Sequence, residues 1–134
     1  MKKLITSLIL LSFFLSANAQ PDSPFKLERL QSVFEKMRST PGFDVSMPMQ
    51  WGFFFRAPTR DYFSQIRKEL EAQGYVYVEE HQDKSNQQWL QLTKSEVHTA
   101  DSLHALNNEL FIYAKNFPGV TYDGWDVTRQ PKKP

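Results

Sequence analysis

The apolar residues between Gln50 and Thr128 change period in a fixed order, and that order restricts the fold more than any other feature of the chain. Gln50 to Arg56 is dense in aromatics (Trp51, Phe53, Phe54, Phe55) and reads as a strand buried on at least one face. Ala57-Pro58-Thr59 breaks it, and Thr59 is placed to cap a helix. Tyr62, Phe63, Ile66 and Leu70 then recur at helical spacing until Gly74, where a left-handed residue is wanted. Tyr75 to Glu80 and Gln87 to Thr93 alternate as two strands around a polar turn at 81–86. Thr99 opens another helix carrying Leu103, Leu106, Leu110, Ala114 and Phe117, which Pro118-Gly119 stops, and Val120 to Thr128 is a last strand. The order β-α-β-β-α-β is the split βαβ arrangement. It predicts an α+β, ferredoxin-like sandwich: a four-stranded antiparallel sheet with two helices on one face.

Ahead of this block, Ser23-Pro24 suits a helix cap followed by a first helical residue. Leu27, Leu30, Phe34 and Met37 follow at spacings of three, four and three, so an extra amphipathic helix is expected over 25–39, stopped by Pro41-Gly42. The chain begins differently. Lys2 and Lys3 precede an apolar run from Leu4 to Leu15, broken only by Thr6, Ser7 and Ser12, and Ser16-Ala17-Asn18-Ala19 follows. Basic, apolar and small residues in that order are the layout of a secretory signal, here cut after Ala19. The run is about 12 residues, and a bilayer-spanning helix needs about 20. The expected organisation is a signal peptide at 1–19, a helix and linker at 20–49, the α+β domain at 50–128 and a polar tail at 129–134. The expected location is periplasmic or secreted, with no membrane attachment after cleavage.

Losing Lys2 and Lys3 from the 16 basic residues leaves 14 against 15 acidic ones, a formal charge of −1. A near-neutral surface offers no broad attraction for phosphate backbones, so nucleic acid is not an expected partner. The chain has no cysteine, which excludes disulfide staples and thiol catalysis together. Stability must come from an ordinary apolar core.

Alternation in the middle strands puts Val76 and Val78 on one face of their strand, and Leu90 and Leu92 on one face of theirs. Reading these as the side toward the helices sends Tyr75, Tyr77 and Trp89 to a bare sheet face, an apolar patch that calls for a cover. The N-terminal helix, a second copy of the chain, or a partner or ligand could each supply it. The helix's four apolar anchors do not offset the entropy of ordering it, so its docking requires further contacts.

Tyr122-Asp123-Gly124-Trp125-Asp126 is the strongest constellation. Its structural reading has Gly124 permitting a bulge or close approach, Trp125 packing, and Asp123 bonding local backbone. Its functional reading makes it a contact patch anchored by Trp125, with Tyr77 and Trp89 as further binding residues. His98, Asp101 and His104 fall three apart, which suits a solvated polar face better than a zinc site. Glu79 and Glu80 point to opposite faces and cannot act on one substrate atom. No residues stand out as catalytic, metal-binding or cofactor-binding.

Two segments carry a resemblance. One is the helix from Ala100-Asp101-Ser102 to Ala114-Lys115-Asn116-Phe117, followed by Tyr122-Asp123-Gly124-Trp125. The other is Phe53-Phe54-Phe55 through Leu70 to Gly74-Tyr75-Val76. Together, over residues 50–128, the chain resembles the family of regulator of ribonuclease activity B (RraB), the protein inhibitor of ribonuclease E. The resemblance implies a protein-binding, inhibitor-type module with no chemistry of its own. The chain departs from the namesake in its export signal and in ending on Pro131-Lys132-Lys133-Pro134 rather than a long acidic tail. The expectation is therefore an exported relative with an unknown protein partner in the cell envelope, or a homodimer. The alternative is a small-ligand-binding protein or an enzyme of related α+β shape, which would show a deep pocket with converging polar groups.

Overall fold

The computed structural model describes residues 23–128; the signal segment with its cleavage site and the tail at 129–134 lie outside the described residues. The elements run α1 (Leu27–Arg38), β1 (Met49–Ala57), α2 (Phe63–Glu71), β2 (Val76–Gln82), β3 (Gln88–Glu96), α3 (Ala100–Ala114) and β4 (Thr121–Thr128). The strands form one antiparallel sheet in the order β2-β3-β1-β4, the arrangement expected of a split βαβ chain.

The central strand supplies most of the core. Met49, Trp51, Phe53, Phe55 and Ala57 are all buried on one face of β1, and Leu90 and Leu92 of β3 lie beside them. Ile66 and Leu70 of α2 and Leu103 and Leu110 of α3 close over that face. The helix ends follow local chemistry. Thr99 Oγ1 accepts from Ser102 N–H while Ser102 Oγ accepts from Thr99 N–H, a reciprocal cap. Gly74 takes φ +97° where α2 gives way to β2. The two other expected caps differ. α1 starts three residues after Pro24, at Leu27, and Ser23 Oγ instead accepts from Phe25 N–H at 3.1 Å. α2 starts at Phe63, and Thr59 Oγ1 accepts from Asp61 N–H. Each hydroxyl bonds backbone two residues on, forming a turn ahead of the helix rather than its cap.

One expectation about the faces is corrected, and one open alternative is decided. β2 is inverted: Val76 and Val78 are 60% and 43% exposed, whereas Tyr75 is 5% exposed and sets its ring edge against Phe53 at 5.5 Å. Tyr77 also turns to the helix side, opposite Leu92, with the Arg67 guanidinium 3.8 Å from its ring centre. A register shift between Tyr77 and Glu79 makes Val78 an extra residue, so alternation cannot be carried through the strand. α1, one of the three covers left open by the sequence, does not lie on the bare face. It docks in the helical layer beside α3, with Phe34 stacked on Trp51 at 6.0 Å and with Leu30 and Met37 buried. Phe25, just before the helix, reaches Tyr122 at 5.2 Å and Phe111 at 6.3 Å. These rings are the contacts beyond the four anchors that ordering the helix requires.

Candidate functional site

β4 divides the Tyr122–Asp126 constellation between the two faces of the sheet. Tyr122 is buried, and its hydroxyl donates to Asn107 Oδ1 at 2.6 Å. Burial, assisted by the nearby Tyr75 phenol, pushes the Tyr122 phenol well above its ordinary pKa, so it remains a donor. Asp123 points out and pairs with Arg56 at 3.3 Å. Gly124 sits at φ +130° where the β1–β4 register shifts, with the Phe25 ring 3.6 Å from where a Cβ would stand. The shift and the close approach are the structural role expected of that glycine. Trp125 returns to the helix side, half-buried, 5.7 Å from Trp51. Asp126 lies over Gly52, where a Cβ would fall 2.3 Å from its Oδ1. Desolvation raises the Asp126 carboxyl above its usual pKa, partly countered by a hydrogen bond from the Gly52 backbone.

Three of these residues line a groove. Asp123, Gly124 and Trp125 form one wall, and Pro24, Phe25, Lys26, Arg29, Leu30 and Val33 form the other, around about 320 Å³. The sequence offered β4's share of this groove and not α1's. Lys26 and Arg29, three residues apart, were visible as one side of a helix, but nothing in the sequence says against which strand that side lies.

Trp89 does face the uncovered side of the sheet, as expected, though without Tyr75 and Tyr77. Its indole N–H donates to Asp83 Oδ2 at 2.8 Å, and His81 stacks on it at 6.2 Å. That indole, first among several donors, holds the Asp83 carboxyl below its ordinary value. The rest of this face is largely polar, with Gln50 Nε2 donating to Thr93 Oγ1 at 2.9 Å. Trp89 thus anchors the β2–β3 turn rather than joining a broad aromatic patch. Glu79 and Glu80 part as expected, Glu79 toward His81 and Glu80 toward Arg60.

His98 is a second correction. It is 9% exposed rather than solvated, edge-on to Trp51 at 5.1 Å. Its Nε2 lies 2.8 Å from Glu96 Oε2 and its Nδ1 2.9 Å from Ser102 Oγ. Lys94 holds the other carboxylate oxygen at 3.1 Å, and Trp51 Nε1 donates to the Glu96 carbonyl at 2.9 Å. A carboxylate only accepts, so Nε2–H donates to Glu96, while the direction of the Nδ1–Ser102 bond follows the ring's tautomer. Glutamate, histidine and serine in that order are the parts of a nucleophile-activating array. Here, however, Ser102 Oγ also accepts the Thr99 N–H in the α3 cap, so the chain of bonds ties the end of β3 to the start of α3. Among the described residues no group of three or more His, Asp or Glu side chains could hold a metal ion.

These features define a small split-βαβ domain with an added docked helix, a buried polar network between sheet and helix, and a groove along its last strand. The chain belongs to the family described as Regulator of ribonuclease activity B, which it matches over residues 28–127. That stretch runs from the first turn of α1 almost to the end of β4, and membership makes the chain a regulator-type module. No curated protein matches the sequence.

Proposed function

We propose that this chain is an exported member of the RraB family that works in the cell envelope by binding another protein, without chemistry of its own. The observation that carries the reading is the pairing of two features in one chain. The family domain occupies residues 28–127, and ahead of it stand Lys2-Lys3, the apolar run Leu4–Leu15 and Ala17-Asn18-Ala19. A family that regulates by protein contact supplies the binding role. Export removes the chain from cytoplasmic ribonucleases, so the namesake's target is not carried over. The groove beside Trp125 supports the reading, since a half-buried tryptophan in a concavity is a preferred interface anchor.

The reading is tested in two measurements. Mass spectrometry of the protein from fractionated cells is expected to find it outside the cytoplasm with Gln20 at its N-terminus. An intact chain carrying Lys2 and Lys3 in the cytosol would overturn export. Crosslinking in intact cells, followed by capture of the protein from the envelope fraction, is expected to recover a specific protein that persists through washing. Recovery of the chain alone, or joined only to itself, would overturn the partner.

A further inference from the structure

We infer that the groove between α1 and β4 receives an acidic segment of the partner protein, with an apolar side chain seated against Trp125 and Leu30 and carboxylates held by Lys26 and Arg29. The inference rests on the protein-binding reading above and names the chemistry of the partner.

Charge carries the argument. Arg56, Arg60, Arg67 and Lys94 each lie within 3.4 Å of a carboxylate oxygen of this chain. Lys26 and Arg29, like Lys36, Arg38, Lys68, Lys84 and Lys115, make no ion pair among the described residues; what sets these two apart is that both are exposed on the groove's rim. The groove's one acidic residue, Asp123, is already matched by Arg56. The acidic side chains of α1 stand elsewhere: Glu28 and Glu35 line a separate hollow with Arg38 and Ala100. The start of α1 therefore turns two cations without an ion pair toward β4, while its two carboxylates stand away from the groove. Such a pair attracts carboxylates, steers their approach, and disfavours a basic partner.

The groove's interior has the complementary property. Leu30 is buried, and Val33, Phe25 and Trp125 are half-buried, so an apolar group entering there loses water on several sides. Gly124 adds no side chain to narrow it. A mixed acidic and apolar segment satisfies both the rim and the floor. A nucleic acid strand would find two cations, well short of the basic track that backbone binding uses.

The test is an NMR titration of the protein isolated from cells expressing the full-length chain. The probes are an acetylated eight-residue peptide alternating glutamate and valine, its lysine–valine counterpart, and a thymidine octanucleotide. The glutamate peptide is expected to shift backbone signals across 24–33 and 123–125, with affinity falling as salt rises. Arg29→Glu, an exposed change checked for folding by circular dichroism, is expected to weaken that peptide about tenfold, the scale of one lost charge pair. The inference is overturned if both peptides bind alike, if the octanucleotide binds more tightly than the glutamate peptide, or if the shifts fall around Trp89 instead. Envelope crosslinking with Arg29→Glu in parallel separates this failure from that of the broader reading. A partner captured equally by both proteins removes the groove and keeps the binding module. Capture of nothing by the native protein, with the peptide still bound at the groove, removes the module and keeps an acidic-peptide site.

Discussion

At the scale of single residues, two polar contacts, one in the core and one at the β2–β3 turn, decide how this fold responds to change. Asn107 is fully buried, its Oδ1 accepts from the Tyr122 hydroxyl, and its Nδ2 has no partner among the described residues. Tyr122→Phe removes the amide's one bond and is expected to cost about 1–3 kcal/mol in urea unfolding, because a buried group left unsatisfied bears its full desolvation cost. Combining it with Asn107→Leu is expected to recover most of that loss, since both polar groups are then gone. The second contact is the Trp89 indole on Asp83. It lowers the folded-state pKa of the carboxyl. Its contribution is thus present above the unfolded value of about 4 and lost as pH falls through the lowered folded value. Trp89→Phe is expected to narrow the stability difference between about pH 6 and about pH 2.5, read from urea midpoints. Neither contact was legible in the sequence. Asn107, Asp83 and His98 look like ordinary surface residues until the fold supplies Tyr122, Trp89 and Glu96.

At the scale of elements, the sequence shows where strands and helices lie better than which way they face. β1 is unambiguous because Trp51, Phe53 and Phe55 outweigh anything on its other side. β2 is not: valines alternate with tyrosines, and both sets are apolar enough to be core. The structure selects the tyrosines, whose larger rings reach from an edge strand to Phe53 while the stems and charges of Lys94 and Arg67 cover them. Val76→Lys and Val78→Lys are therefore each expected to change stability by no more than about 0.5 kcal/mol, as exposed positions do. A loss of several kcal/mol in thermal or urea unfolding would restore the opposite orientation. The caps divide similarly. The sequence offered Ser23, Thr59 and Thr99 alike as caps; only Thr99 has Ser102 three residues on to reciprocate, and the other two form turns instead.

At the scale of the molecule, topology was legible and the destination of α1 was not. Short connections and the β-α-β-β-α-β order leave few alternatives to a sheet with β1 and β3 at its centre. An amphipathic helix ahead of that block could sit on either face, since its stripe reports that it docks and not where. Phe34 settles the matter, being 1% exposed and stacked on the central Trp51. α1 is thus part of the same cooperative unit as the sheet. Phe34→Ala is expected to cost about 3–5 kcal/mol, as buried Phe truncations do. Circular dichroism and tryptophan fluorescence should report that loss as one coincident transition. An early, separate melting of the helix would instead make α1 an independent attachment.

Both outermost strands of the sheet are interrupted midway, β2 at Val78 and β4 at Asp123. A straight border would offer a ladder of donors and acceptors on which the next molecule could continue the weave. A kinked border breaks the repeat after a few residues, so two copies meeting side by side cannot zip together along their length. Concentrated protein is therefore expected to raise no thioflavin fluorescence, the signal that fibre growth would give.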